Sequence, residues 1–186
     1  CPVGYFPDAF GNAGQMPQIL KQAGMKAVAF GRGVRSVGAD NQTLGGAYES
    51  PYSEMLWSAP DGSALLGILF ANWYNNGVEI PVEREAAKAF WAKHLADTEQ
   101  FAATDQLLLM NGCDHQPVQK DLAAALETAR ALYPDINFIQ SNFVTYVNAV
   151  QADLADRGTP LATVQGELTS QETDGRWTLV NCASSR

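Results

Sequence analysis

Short apolar runs alternate along the chain with segments whose apolar residues recur at helical spacing, the rhythm of βαβ units around a parallel sheet. Val3 to Phe6 predicts a strand that runs into Pro7, Asp8, Phe10 and Gly11. Asn12 then predicts the cap of a helix whose apolar face is Met16, Ile19, Leu20 and Ala23, ended by Gly24. Lys26 to Phe30 predicts the next strand, followed by a Gly-rich irregular stretch from Gly31 to Pro51. Glu54 to Trp57 and Ala64 to Ala71 predict two strands around a turn at Pro60, Asp61 and Gly62.

Val82 to Ala103 carries Phe90, Trp91, Leu95 and Phe101 at helical spacing, with Glu83 and Glu85 in the first turn where they suit the helix dipole. Gln106 to Met110 is continuously apolar and predicts a strand buried on both faces of a parallel sheet. Pro117 suits a helix start, with Val118, Leu122, Leu126, Ala129 and Leu132 as one stripe. Asn137 to Gln140 predicts a further strand, Ser141 opens a helix carrying Phe143, Val147, Val150 and Leu154, and Leu161 to Leu168 predicts the last strand. The fold class is therefore α/β, a mostly parallel sheet or incomplete barrel with surrounding helices. A complete eight-fold barrel needs about 250 residues, so 186 are too few for one.

Charge narrows the partners. Twelve Lys plus Arg against 20 Asp plus Glu give a net charge of −8 and a pI near 4.6, which excludes binding nucleic acid through a basic face. Apolar content of 46% with 17% charged residues is enough for one sizeable core. The longest apolar run, Ala64 to Ala71, falls far short of the roughly 20 residues that span a bilayer, so no membrane partner is expected. Cys1, Cys113 and Cys182 form neither a disulfide framework nor a Cys-x-x-Cys knuckle, which favours a reducing, cytoplasmic compartment. The first strand follows Cys1 at once, and residues 1–186 are expected to be an interior piece of something longer.

In parallel α/β folds ligands bind at the carboxyl ends of strands. Asp8, Arg32 and Asp114 each follow directly on an apolar strand. Two carboxylates and a guanidinium on one rim are the minimum for glycoside hydrolysis, one carboxylate attacking and the other donating a proton. Each also has a plainer reading: Asp8 as a turn or cap residue before Gly11, Asp114 as a cap before Pro117, Arg32 as a solvated loop arginine. Phe10 and Trp57 are candidates, with Arg32, for orienting substrate or nucleophile. Trp57, Trp73 and Tyr74 are core residues by default, although aromatic residues at strand ends also stack on sugars. His115 has no partner at metal-ligand spacing. His94 reads as a partly buried helix residue, and Glu167 as a strand-end residue able to orient a rim loop.

GYFPDAFGNAGQMPQIL, AVAFGRG, SEMLWSAPDGS, FANWYNNGVEIP, LLLMNGCDHQP and QGEL follow one another in this order. Together they resemble the catalytic domain of glycoside hydrolase family 38, the zinc-dependent retaining α-mannosidases, and its bacterial branch above all. The resemblance covers essentially the whole chain and implies part of a seven-stranded α/β barrel-like domain. It implies that Asp8 is the nucleophile that forms the mannosyl-enzyme and also ligates zinc. Arg32 would hold that carboxylate ionised, and Asp114 would be the general acid/base. The family's His-x-His-x-Asp segment and later His-Asp pair have no counterpart here, so most zinc ligands are expected outside these residues and the chain alone is expected to be inactive. Implied partners are a mannose-containing oligosaccharide or conjugate and a homo-oligomeric parent. Two other readings stay open: a non-catalytic carbohydrate-binding module and a metal-dependent polysaccharide deacetylase.

Overall fold

The computed structural model describes residues 2–34, 50 and 52–168. Most of the Gly-rich stretch, together with Cys1 and Cys182, lies outside the described residues. The elements are β1 (Val3–Phe6), α1 (Met16–Gln22), β2 (Ala27–Phe30), β3 (Glu54–Ser58), β4 (Ala64–Leu69), α2 (Arg84–Glu99), α3 (Leu122–Leu132), α4 (Phe143–Arg157) and β5 (Thr163–Gln165). The strands form one open sheet in the order β1-β2-β4-β3-β5. β1 pairs parallel with β2, β2 with β4 and β3 with β5, while β3 and β4 run antiparallel. That last pairing follows from the short Pro60-Asp61-Gly62 turn, where Gly62 takes φ +83° and Asp61 accepts from the Ser63 N–H and hydroxyl. The mixed, mostly parallel sheet with surrounding helices is the predicted class.

Both faces of the sheet are covered, which explains why β2 is apolar at every position. Val28 and Phe30 join Leu20 of α1, Met55, Trp57, Leu69 and Val164 on one face. Ala27 and Ala29 face the other way, toward Tyr146, Val147 and Val150 of α4. Helices α2 and α3 pack instead on each other through Trp91, Leu95, Ala125, Leu126 and Ala129, with Phe138 completing a separate cluster.

The apolar segments 106–110 and 137–140 join no sheet among the described residues, correcting two predicted strands. For 106–110 the reason is available in the topology. Both edges of β4 are already occupied, by β2 and β3, so the next segment has no adjacent edge to join. It still alternates as a strand does: Leu107 and Leu109 pack on the α2–α3 cluster, Leu108 and Met110 on the sheet and α4 cluster. Segment 137–140 is held by Arg130, whose guanidinium donates to the Phe138 carbonyl at 2.7 and 3.1 Å.

Helix boundaries move for local reasons. Asn12 does not cap α1, because its backbone is paired in both directions with Leu168, and Gln15 occupies the cap position. Glu83 caps α2 by accepting from the N–H groups of Glu85 and Ala86, bonds that lower its pKa. Asn142 rather than Ser141 caps α4. α3 begins at Leu122, leaving Val118 on the surface rather than in the stripe.

One carboxylate interrupts the apolar interior. Glu54 is 2% exposed and accepts from the hydroxyls of Ser53 and Tyr146 and from the Ala103 N–H at 2.8 to 3.1 Å, joining β3, α4 and the segment after α2. Burial raises its pKa despite these hydrogen bonds. A carboxyl whose folded pKa is raised contributes most when protonated, and its contribution is lost as pH rises through the folded value. Glu54→Ala should cost about 2 to 4 kcal/mol in chemical denaturation by stranding the Tyr146 hydroxyl and the Ala103 N–H. Glu54→Gln should instead flatten the fall of stability with rising pH.

Candidate active site

Strands β1, β2 and β4 are adjacent and parallel, so Phe6, Phe30 and Leu69 end side by side and their exit loops share one rim. The exits of β1 and β2 cross at Gly31, where an added Cβ would stand 2.1 Å from the Pro7 carbonyl oxygen. Only glycine permits that approach. It sets Arg32, on the middle strand's exit, against Asp8 on its neighbour's.

Arg32 is 4% exposed, and both its Nε and its Nη2 reach Oδ1 of Asp8. Its guanidinium carbon lies 4.7 Å from the ring centre of Phe10 and 4.6 Å from that of Trp73. A guanidinium between two aromatic rings is held in one plane and stays charged, and cation–π attraction offsets part of its desolvation. The side chain of Asp8 remains 32% exposed.

Trp73 reaches Arg32 because the backbone after β4 turns through left-handed conformations at Asn72 (φ 61°) and Trp73 (φ 78°). Such values cost non-glycine residues of order 1 kcal/mol or more and persist where surroundings enforce them. Here the Asn72 side chain donates to the Asp97 carbonyl at 2.8 Å, and the Phe70 N–H donates to the Phe30 carbonyl at 2.9 Å.

Tyr74 brings in the second carboxylate. Its hydroxyl donates to Oδ2 of Asp114 at 3.0 Å. Burial, that hydrogen bond and the charges of Asp8 and Asp114 all push the phenol far above its ordinary pKa. Tyr74 therefore stays a proton donor through the neutral range, and both carboxylates lie within electrostatic reach of its ring.

The structure thus gathers Asp8, Arg32, Phe10 and, through Tyr74, Asp114. Trp57 is a correction. It is fully buried in β3, packed edge-on against Phe30, with its indole N–H donating to the Gly166 carbonyl at 2.8 Å, so it belongs to the core and cannot orient a substrate. His115 is exposed with φ 59°, and Glu167 is also exposed. His94 is tied to its own helix, its Nδ1 2.8 Å from the Phe90 carbonyl and its ring stacked on Phe90. Trp73 and Tyr74 earn site roles that default core status did not give them; two adjacent aromatic residues directly after an apolar strand were the available signal.

Among the described residues no three of His, Cys, Asp and Glu converge on one point. A zinc site commonly uses about four ligands, and of those expected in the family Asp8 alone stands at this rim. These residues by themselves therefore do not make a zinc site.

Residues 1–169 match the glycosyl hydrolases family 38 N-terminal domain. A protein of Halalkalibacterium halodurans, provisionally named mannosylglycerate hydrolase, is 53% identical over 184 residues, covering 99% of this chain and 20% of that protein. The crystal structure of an alpha-mannosidase from Enterococcus faecalis V583 superposes on all of this chain with a TM-score of 0.85 and 52% identity, again over 20% of its own length. The chain spans about one-fifth of each relative.

The phenol of Tyr74 should be silent in an alkaline titration followed by phenolate absorbance near pH 10, where an ordinary tyrosine ionises. Tyr74→Phe should leave the titrating amplitude of the native protein unchanged. A drop in amplitude would show that Tyr74 ionises normally.

Proposed function

We propose that this chain, which belongs to glycosyl hydrolase family 38, supplies the nucleophile and the general acid/base of an enzyme that hydrolyses terminal α-mannosides with retention. The observation that carries the reading is the Asp8–Arg32 pair, set between Phe10 and Trp73 where three parallel strands end. A nucleophilic carboxylate must be ionised and aimed. Arg32 aims it by engaging Oδ1, and in this reading the other oxygen of Asp8 attacks the anomeric carbon.

In the first step the bond from that oxygen to the anomeric carbon forms as the glycosidic C–O bond breaks, and Asp114 gives its proton to the departing oxygen. In the second, Asp114 takes a proton from water as water attacks the same carbon and releases Asp8. The Tyr74 hydroxyl, fixed on Oδ2 of Asp114, orients the carboxyl group so that its other oxygen carries the proton. Phe10 is 47% exposed and offers an apolar face to the sugar beside the nucleophile.

We place this site within a longer protein and include one zinc ion, with Asp8 as one ligand and the rest outside the described residues. When bound, zinc would supply Lewis-acid contacts to the sugar's hydroxyls. The names of the relatives support a mannose-containing substrate, an oligosaccharide or a conjugate such as mannosylglycerate, and a homo-oligomer is compatible with it. No helix among the described residues is long and apolar enough to cross a membrane. Cys113 is a free thiol, in keeping with a reducing cytoplasmic compartment.

In the full-length enzyme, Asp8→Asn should lower turnover of an aryl α-mannoside by at least about 10³-fold, and Arg32→Ala by about 10²-fold. Retained turnover in the Asp8 variant would overturn the nucleophile assignment. Chelation should abolish activity and added zinc restore it. A slow fluorosugar substrate should leave its glycosyl group on Asp8, detectable by peptide mass spectrometry; a deacetylase would form no such adduct.

A further inference from the structure

The geometry points to Asn76 as the residue that positions the general acid/base, acting as a one-side-chain substitute for a missing sheet edge. Asn76 is 5% exposed. Its Oδ1 accepts from the Met110 N–H at 2.7 Å, and its Nδ2 donates to the carbonyls of Leu108 at 3.0 Å and Ala71 at 3.1 Å. The Met110 N–H determines which end of the amide is oxygen, so the bonding is internally consistent. Accepting from residue 110 and donating to residue 108 is what the backbone of a neighbouring strand would do.

Segment 106–110 joins no sheet among the described residues, yet its partly buried backbone groups need partners. Asn76 meets that need and simultaneously ties the segment to the loop carrying Trp73 and Tyr74. Two backbone features reinforce the join. The Gly77 N–H donates to the Met110 carbonyl at 2.9 Å, and a Cβ on Gly77 would stand 3.0 Å from the Leu109 side chain, tighter than ordinary contact. Asn111 returns the contact by donating to the Gly77 carbonyl at 2.8 Å.

Asn76 lies two residues past Tyr74, and Met110 four residues before Asp114. The Tyr74–Asp114 hydrogen bond therefore spans two loops whose separation these amides set. Loss of the Asn76 amide would let the Asp114 loop shift relative to Tyr74 while the Asp8–Arg32 pair, built on β1 and β2, stays in place. The consequence is a selective defect in proton donation. A misplacement of about 1 Å can cost about 10²-fold in a positioned step.

This inference rests on Asp114 being the proton donor, and the test separates the two. In the full-length enzyme, Asn76→Ala, Asn111→Ala and Asp114→Asn are compared on an alkyl α-mannoside, which needs leaving-group protonation, and a dinitrophenyl α-mannoside, which does not. Asn76→Ala should lower kcat/KM on the alkyl substrate by about 10- to 100-fold and on the dinitrophenyl substrate by less than about threefold, following the pattern of Asp114→Asn. Asn111→Ala should show the same selectivity at smaller amplitude, and carries the test if Asn76→Ala does not fold. Equal losses on both substrates, or none, in the asparagine variants beside a selective Asp114→Asn would overturn the positioning role alone. A non-selective Asp114→Asn would overturn the general-acid assignment itself.

Discussion

A guanidinium removed from water must be given charge, hydrogen bonds and a fixed plane, and Arg32 organises this molecule's rim by requiring all three. The Asp8 carboxylate supplies charge and acceptor, and Phe10 and Trp73 supply the plane. These partners arrive on two exits, β1's for Asp8 and Phe10 and β4's for Trp73. The parallel pairing of three strands, the glycine at the crossing and the left-handed turn at Asn72–Trp73 are the conditions under which they can meet.

The two carboxylates consequently sit in different mechanical and electrostatic settings. Asp8 is anchored on sheet strands beside a cation, which suits a group that must be ionised at the start of a reaction. Asp114 follows a segment that joins no sheet among the described residues, and meets a neutral phenol. Amide side chains, Asn76 and Asn111, carry the second setting where backbone ladders carry the first.

Glu54 shows the same logic inside the protein. A carboxyl placed among apolar side chains on the α4 face of the sheet is tolerated because three donors from three elements converge on it. Position 54 read as one more strand residue in the sequence, since nothing in a run of polar and apolar letters distinguishes an acid on a solvated face from one under a helix.

The alternation of short apolar runs with helical spacing was sufficient for the α/β class, for β1, β2, β3, β4 and the bodies of α1 to α4, because local periodicity decides which face is buried. The position of Asp8 and Arg32 just past neighbouring strand ends was also legible, since each directly follows an apolar run that does form a strand. The linear pattern could not say that 106–110 stays out of the sheet: its alternation is that of a strand, and the obstacle is that β2 and β3 already hold both edges of β4. Nor could it separate Trp57 from Trp73, two tryptophans near strand ends, one sealed against Phe30 and the other laid on Arg32. Those outcomes depend on which elements are neighbours in space, and the pairing of distant strands, not the local sequence, determines that.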